Sequence, residues 1–257
     1  IQWDWHYIDC SDGSVVGFDS GFDQTGWVTA WSGGIYNPIL NRIHLIRYTL
    51  YDDGTTEYYI DCATGTIVNH TPTGHPTFTN NECNGGVYSP TEQRIWLYNN
   101  PANSTWHYID CTDGSYSSVT SGLVTSGGNN ITYGAVYSPT QDRIYLTPEA
   151  QSNGTNWVYI DCTTSTFVEY PHGQTISTSF AFSSMCFSPT ENRIYIVPGN
   201  ISDESTWHYI DCNDGSVQSY THGFGTSLPS EAFNGAMYSP REDRIYLLPY
   251  VLSNGST

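Results

Sequence analysis

Apolar and polar positions alternate along the chain in short runs, each bounded by proline, glycine, asparagine or aspartate. One representative stretch holds such runs at residues 134–139, 143–146, 157–162 and 166–170. The runs are rich in β-branched and aromatic residues, and no window shows a helical period with caps. The pattern therefore predicts an all-β chain whose strands come in groups of four.

The group of four strands returns about every 50 residues. An arginine opens the second run of each group, at Arg42, Arg94, Arg143, Arg193 and Arg244. A Tyr-Ile-Asp-Cys tetrad closes the third run, at Cys10, Cys62, Cys111, Cys162 and Cys212, with intervals of 52, 49, 51 and 50 residues. Repeats of this length are typical of propeller blades. The sequence predicts one five-bladed β-propeller with four antiparallel strands per blade.

The fifth copy of the repeat is divided between the two ends of the sequence. Four predicted blades cover residues 33–70, 85–120, 134–170 and 184–220, and the fifth combines residues 235–257 with 1–18. We expect the N-terminal strands to pair with the C-terminal strands and close the ring, because this leaves no open sheet edge. Pairing with the terminal half of another molecule, which gives a chain of swapped subunits, is the alternative.

Each repeat also places an aspartate at the end of the third strand, next to the arginine that begins the second. Antiparallel neighbours bring these two residues to the same end of the blade. We predict ion pairs or shared turn hydrogen bonds for Arg42–Asp61, Arg94–Asp110, Arg143–Asp161, Arg193–Asp211 and Arg244–Asp9. The last of these pairs joins the two ends of the chain and is diagnostic of a closed ring.

Composition limits the partners of the protein. The 257 residues include 25 acidic residues, seven arginines and no lysine, for a net charge of −18. This balance argues against nucleic acid, whose phosphates need cationic partners, and no apolar run is long enough to cross a membrane. No cofactor or metal site is predicted, because no Cys-x-x-Cys pair or Cys/His cluster is present.

Seven cysteines are an odd number. The five repeat cysteines lie on separate predicted blades, too far apart to bridge one another. We expect buried thiols that pack as small apolar side chains. A disulfide of Cys83, or a link between subunits, is the alternative.

Long loops of dissimilar sequence occupy one predicted face of the propeller, at 16–32, 69–84, 119–133, 171–183 and 221–234. Aromatic rings beside polar amides suit a sugar, so a lectin is an alternative function, although the same rings can simply fill blade interfaces. Two loop glutamates facing each other across the mouth suit a glycoside hydrolase or lyase. The candidate ligand-binding residues are Trp27, Trp31, Phe78, Tyr133, Phe180, Phe224, Glu82 and Glu231. Three loop histidines, His75, His172 and His222, are expected to be turn elements rather than metal ligands.

Acceptor motifs for N-linked glycans occur at Asn69, Asn103, Asn130, Asn153, Asn200 and Asn254. Four of them, Asn103, Asn153, Asn200 and Asn254, share one repeat position in the exposed link between the second and third strands. Together with the hydroxyl-rich, lysine-free composition, this placement predicts a secreted glycoprotein at a cell or virion surface.

The run Tyr137-Ser-Pro-x-x-x-Arg143-Ile-Tyr145, followed by Tyr159-Ile-Asp161, resembles the YVTN-type propeller repeats of surface proteins. The likeness covers all five copies, although those proteins commonly have more blades and usually carry threonine where this chain has cysteine after the aspartate. The resemblance implies an extracellular protein with an adhesive or binding role, and it supplies no catalytic motif. We therefore expect a non-enzymatic structural subunit or adhesin, with glycans and further copies of itself, in filaments or arrays, as its partners.

Overall fold

The computed structural model describes residues 5–18, 31–47, 56–76, 83–99, 105–122, 134–147, 156–174, 182–198, 206–221, 223 and 233–249. Within these ranges the chain forms twenty strands and no helix, which confirms the predicted all-β propeller architecture. Accordingly, none of the described ranges contains a helix that is long and apolar enough to span a membrane.

The strands form four complete blades and two half-blades. The N-terminal half-blade consists of β1 (Trp5–Ile8) and β2 (Val15–Phe18). Blade 1 consists of β3 (Trp31–Asn37), β4 (Arg42–Arg47), β5 (Glu57–Asp61) and β6 (Thr66–His70). Blade 2 consists of β7 (Cys83–Ser89), β8 (Arg94–Asn99), β9 (Thr105–Asp110) and β10 (Tyr116–Thr120). Blade 3 consists of β11 (Ala135–Ser138), β12 (Arg143–Leu146), β13 (Asn156–Asp161) and β14 (Thr166–Pro171). Blade 4 consists of β15 (Phe182–Ser188), β16 (Arg193–Pro198), β17 (Thr206–Asp211) and β18 (Val217–Thr221), and the C-terminal half-blade consists of β19 (Phe233–Ser239) and β20 (Arg244–Pro249).

Short turns fix the register within each blade. The turn between the first and second strands ends in a residue with positive φ, such as Asn41 at 52° or Asp142 at 53°, a conformation that asparagine and aspartate tolerate well. The predicted Asp-Gly hairpins place Gly114 at φ 79° and Gly215 at φ 82°, where glycine avoids a steric penalty. As a result every complete blade is a simple antiparallel meander, with its strands in sequence order.

The blades pack side by side in one row. The first strand of each blade contacts the first strand of the next, in the order β3, β7, β11, β15 and β19. An apolar cluster fills each of the three junctions between complete blades. The two ends of the row, β3 and β19, do not pack on each other in this way within the described residues.

The ring closure predicted from the sequence is therefore not seen in the structure. β1–β2 and β19–β20 are separate two-stranded sheets, and β1 does not pair with β20. Arg244 and Asp9 likewise do not form the predicted ion pair among the described residues. Strand pairing requires axes about 4.8 Å apart. The repeat sequence gives the register for such a pair, but the two half-blades are not hydrogen-bonded to each other in the described sheets.

Candidate assembly interface

The junctions between complete blades share one construction. The isoleucine and cysteine that flank the repeat aspartate face the preceding blade, together with an apolar residue at the start of the fourth strand. In blade 3, Ile160 and Cys162 pack against Trp96 and Trp106 of blade 2. Their exposed fractions are 0% and 3%. Burial raises the pKa of the Cys162 thiol to about 12, so this sulfur remains neutral and packs as an apolar group.

A polar contact accompanies each apolar cluster. The Asn37 side-chain amide at the end of β3 donates a hydrogen bond to the Cys111 carbonyl oxygen in blade 2, at 3.3 Å. In the next junction the equivalent residue, Ser89, lies beside the Cys162 thiol. The last residue of each first strand thus holds the cysteine turn of the blade that follows.

The segment after the fourth strand also reaches the following blade. The Tyr116 amide of blade 2 donates to the Thr73 carbonyl oxygen of the blade 1 loop at 2.8 Å. A Cβ at Gly74 would lie 2.4 Å from the Tyr116 carbonyl oxygen, and Gly74 has φ 72°, so only glycine fits there. The imidazole of His75 lies 4.7 Å from the Tyr116 ring, and its Nε2 atom is 3.1 Å from Glu57 Oε1.

His172 occupies the corresponding place after blade 3. Its ring stacks on Trp157 with centroids 4.7 Å apart, while Gln174 donates to the Val217 carbonyl oxygen of blade 4 at 2.9 Å. Both described loop histidines therefore pack in blade junctions, and no group of three metal-ligating side chains occurs in the described ranges. His222 lies outside the described residues.

The fourth junction, between blade 4 and the C-terminal half-blade, contains a cavity instead of an apolar cluster. Its volume is about 400 Å³. In the complete junctions this space holds the third and fourth strands of the following blade. The cavity is lined from blade 4 by Ser188, Glu191, Tyr195, Ile196, Val197, Trp207 and Tyr220, and from the half-blade by Tyr238, Asp243, Arg244, Ile245 and Leu247.

The N-terminal half-blade carries the side chains that this cavity lacks. Ile8 is 65% exposed and Val15 is 67% exposed, whereas their counterparts in blade 4, Ile210 and Val217, are buried. Cys10 is exposed as well, although Cys212 at the same repeat position is buried. An apolar face that blades 2, 3 and 4 bury is therefore uncovered in β1–β2.

Blade 1 has a second uncovered surface, on the side where a preceding blade belongs. Tyr36 is 49% exposed, and Cys62 is exposed. A Cβ at Gly65 would meet no atom within 4 Å, so the turn that carries it is open to solvent. At the corresponding place in the C-terminal half-blade, the Tyr238 hydroxyl lies 3.2 Å from Thr190 of blade 4.

The repeat arginines and aspartates do not form the ion pairs predicted from the sequence. Register places Arg143 opposite Asp161, but the guanidinium lies 4.2 Å from the centre of the Tyr159 ring, a cation–π arrangement. The Asp161 carboxylate accepts hydrogen bonds from the amide and the hydroxyl of Thr163, at 2.9 and 2.6 Å. The guanidinium groups of Arg42, Arg94 and Arg193 lie over the rings of Tyr59, Tyr108 and Tyr209 in the same way. The carboxylates of Asp61, Asp110 and Asp211 each accept a hydrogen bond from the backbone amide two residues further on, so the repeat aspartates stabilise turns.

A buried carboxylate that the sequence reading overlooked links blades 2 and 3. Glu92 accepts from the Trp96 indole at 2.7 Å and from Arg94 at 3.2 Å. The Arg94 guanidinium also donates to Ser165 of blade 3 at 3.0 Å. The sequence does contain a pattern that indicates this contact: in four repeats a glutamate or glutamine precedes an aromatic residue by four positions. The four pairs are Glu92–Trp96, Gln141–Tyr145, Glu191–Tyr195 and Glu242–Tyr246.

A second overlooked feature is the buried histidine of blade 1. His44 is fully buried and takes the repeat position of Trp96 and Tyr145. Burial lowers the pKa of His44 to about 4, a shift that nearby Glu57 opposes. The imidazole is therefore neutral at physiological pH and packs as an aromatic side chain.

Most of the predicted ligand-binding residues lie outside the described residues. Trp31 begins β3, whereas Trp27, Phe78, Tyr133, Phe180, Phe224, Glu82 and Glu231 fall in ranges that are not described. Of the six acceptor asparagines, Asn69 lies in β6 with its side chain exposed, and Asn103, Asn130, Asn153, Asn200 and Asn254 fall outside the described ranges. All seven cysteines are free thiols, so the alternative disulfide of Cys83 is absent.

Comparison with known proteins supports the fold. No family model matches the chain, and no curated protein matches it. Among solved structures, the extracellular domain of the putative one-component system BT4673 from B. thetaiotaomicron is similar, with a TM-score of 0.59, 11% identity, and coverage of 89% of this chain and 27% of that one. Saccharomyces cerevisiae Sqt1 is similar with a TM-score of 0.53, 12% identity, and coverage of 90% and 57%.

A third similar structure is the β-propeller domain of Myceliophteria thermophila Cps50 (Swd1), with a TM-score of 0.52, 12% identity, and coverage of 83% and 60%. The chain thus spans less than two thirds of the length of each of these three proteins. These likenesses establish the propeller fold, and the YVTN-type resemblance of the repeat stays a prediction.

Proposed function

We propose that this protein is a non-enzymatic, extracellular, N-glycosylated β-propeller that serves as a structural subunit or adhesin in a surface layer or filament. The observation that carries the proposal is the uncovered apolar surface at both ends of the blade row. Tyr36 and Ile39 are exposed at one end, and Met237, Tyr246 and Leu248 at the other. Exposed apolar patches are typical of association surfaces, and here the equivalent positions in the other blades are covered by a neighbouring blade.

The remaining features favour an extracellular subunit. Asn69 lies exposed on β6, the outer edge strand of blade 1, where a glycan has room. The net charge of −18 keeps single subunits soluble and limits indiscriminate association. One structural neighbour, BT4673, is itself described as an extracellular domain.

Mass measurement over a range of concentrations tests the assembly role. The unglycosylated chain has a mass of 28.6 kDa, and sedimentation velocity or light scattering should show multiples of the subunit mass that grow with concentration. Electron microscopy of the same samples should show ordered rods or sheets. A single species of subunit mass at every concentration would contradict the assembly role.

Expression through a eukaryotic secretory pathway tests the glycan assignment. Digestion with an amidase specific for N-linked glycans should lower the mass of the secreted protein. The variant Thr71→Ala destroys the acceptor motif while keeping Asn69, and it should lack one glycan relative to the parent protein. An unchanged glycopeptide map in this variant would show that Asn69 is not used.

A further inference from the structure

We infer that the two half-blades complete each other between molecules: β1–β2 of one copy pairs with β20 of a second copy and fills the cavity beside blade 4. This inference rests on the proposed assembly role and names its partner, a second copy of the same chain. Repetition of the contact joins subunits head to tail.

The register of the contact can be read from the complete blades. In blade 3, Arg143 lies opposite Asp161, Ile144 opposite Ile160 and Tyr145 opposite Tyr159. The same residue types stand at the same repeat positions in β20 and β1. The intermolecular pairs are therefore Arg244 with Asp9, Ile245 with Ile8, Tyr246 with Tyr7 and Leu247 with His6.

The backbone groups at both edges suit this register. In blade 1 the Cys62 amide donates to the Asn41 carbonyl oxygen, and because strand residues alternate, Ile43 also directs its backbone groups toward the third strand. The equivalent groups of Ile245 are unpaired in the described sheet. The Asp9 amide donates to Ser14 within the hairpin, so by the same alternation Ile8 directs its backbone groups outward, where they can meet Ile245.

The side chains match as well. Ile8, Cys10 and Val15 face solvent in the half-blade, while the cavity beside blade 4 is walled by Tyr195, Trp207 and other residues. Docking gives these three side chains the environment that Ile160 and Cys162 have in blade 3. The resulting sheet has four strands and the composition of a complete blade.

A second surface follows from the first, because the docked hairpin leads along the chain into blade 1. The uncovered side of that blade, with Tyr36 and Cys62, then faces the C-terminal half-blade with Met237 exposed. Arg241 takes the repeat position of Thr91, Thr140 and Thr190 in blades 2, 3 and 4, where Thr140 hydrogen-bonds Asn192 of the next blade at 2.6 Å. In the intermolecular junction Arg241 lies opposite Asn41, the residue equivalent to Asn192.

The open row favours a second copy over closure within one chain. Each first strand contacts the next one in the row from β3 to β19, and no comparable contact joins β19 to β3 in the described residues. The edges of β20 and of β1 are both left without a partner strand in the described sheets, so a second copy can supply the missing strand to each.

Directed disulfide formation tests the pairing. Tyr246 and Tyr7 would form a non-hydrogen-bonded pair with Cα atoms about 4.5 Å apart, which suits a disulfide. In a background with Cys10→Ser and Cys62→Ser, one chain receives Tyr7→Cys and another Tyr246→Cys. Mild oxidation of the mixture should give mixed dimers as the main product, and neither chain alone should give more than background. The control pair His6→Cys with Tyr246→Cys, shifted by one residue, should crosslink at least several-fold less.

The double variant Tyr7→Cys/Tyr246→Cys distinguishes the two modes of pairing. Between-molecule pairing predicts ladders of disulfide-linked multimers. A disulfide-linked monomer, or the absence of any crosslink, would overturn the inference. The proposed function is judged separately by the mass of the unmodified protein, because assembly without this crosslink would keep the subunit role and reject only the pairing.

Discussion

The side-chain amide of Asn37 donates a hydrogen bond to the carbonyl oxygen of Cys111, which lies 3.3 Å away and 74 residues further along the chain. This contact joins the first strand of one blade to the cysteine turn of the next. It shows why repeat cysteines differ in exposure: a cysteine is buried only where a preceding blade covers it. Cys111, Cys162 and Cys212 are covered, and Cys10 and Cys62 are not.

Thiol reactivity should follow this division. In dilute native protein, iodoacetamide should modify Cys10 and Cys62 first, with the other five thiols on the order of 100-fold slower because reaction requires local opening. Burial raises the pKa of Cys111 to about 12, which lowers its thiolate fraction further. Peptide mass spectrometry gives the order, and all seven should react alike in denaturant. Equal reactivity of Cys62 and Cys111 in the native protein would contradict the open row.

Equivalent aromatic positions should differ in their effect on stability. Trp96 is buried between blades 2 and 3, whereas Tyr246 holds the same repeat position in β20 and is 49% exposed. Trp96→Ala should lower the free energy of unfolding by about 3–5 kcal/mol, the usual cost of removing a large buried side chain. Tyr246→Ala should cost less than about 1 kcal/mol in dilute protein. Urea unfolding of the two variants measures the difference, and equal costs would contradict the unpaired state of β20.

Mild acid should destabilise blade 1 through His44. Its pKa is about 4 in the fold, lowered first by burial, and about 6.5 in the unfolded chain. Above pH 6.5 His44 is neutral in both states, and the free energy of unfolding is unaffected by it. As the pH falls from 6.5 toward 4, the unfolded chain binds a proton that the folded protein does not, and the free energy of unfolding decreases by up to about 3 kcal/mol. His70 and His208, whose pKa values burial also lowers, act in the same direction.

The variant His44→Tyr, which introduces the residue found at this position in blades 3 and 4, isolates that contribution. Its free energy of unfolding should fall less steeply than that of the parent protein between pH 6.5 and 4.5. Unfolding curves at several pH values provide the comparison, and identical slopes would assign the acid sensitivity to other groups.

The role of the repeat aspartates can be tested at Asp161. Asp161→Asn keeps an oxygen that accepts from Thr163, so it should cost less than about 0.5 kcal/mol, whereas Asp161→Ala loses both hydrogen bonds and should cost about 1–2 kcal/mol. Thermal unfolding of both variants checks the order. If asparagine proved as damaging as alanine, the carboxylate charge, and with it an ion pair to Arg143, would be the stabilising feature.

The strands and register within one blade could be predicted from the sequence, because they depend on residues that lie close together along the chain. The spacing of Arg143 and Asp161 predicted that they lie opposite each other, and the register confirms it. The spacing did not reveal that the Arg143 guanidinium lies over the Tyr159 ring. The ring and the Asp161 carboxylate are both close to Arg143, and only the three-dimensional geometry shows which of them the guanidinium contacts. The aspartate was already engaged by Thr163 in its own turn.

The relation between blades was harder to predict. Glu92 and Glu191 share one repeat position, yet their side chains are 5% and 46% exposed, so burial there depends on the neighbouring blade rather than on the strand itself. His44 is buried at a position where the other repeats carry tryptophan or tyrosine. The pairing of β1 with β20 was also predicted from the repeat, and it is absent from the described sheets. The matching residues Arg244 and Asp9 give a register for that pair, but how one blade sits against the next depends on many side-chain contacts between blades.

Hydrogen exchange of the amides in 244–249 tests the open edge most directly. In dilute protein the amide of Ile245 should exchange at nearly the rate of an unpaired backbone, while those of Ile43, Ile95, Ile144 and Ile194 are protected within complete blades. In assembled material the protection of Ile245 should rise to match theirs. Strong protection of Ile245 at every concentration, in a protein of single-subunit mass, would show a ring closed within one chain and contradict the open row.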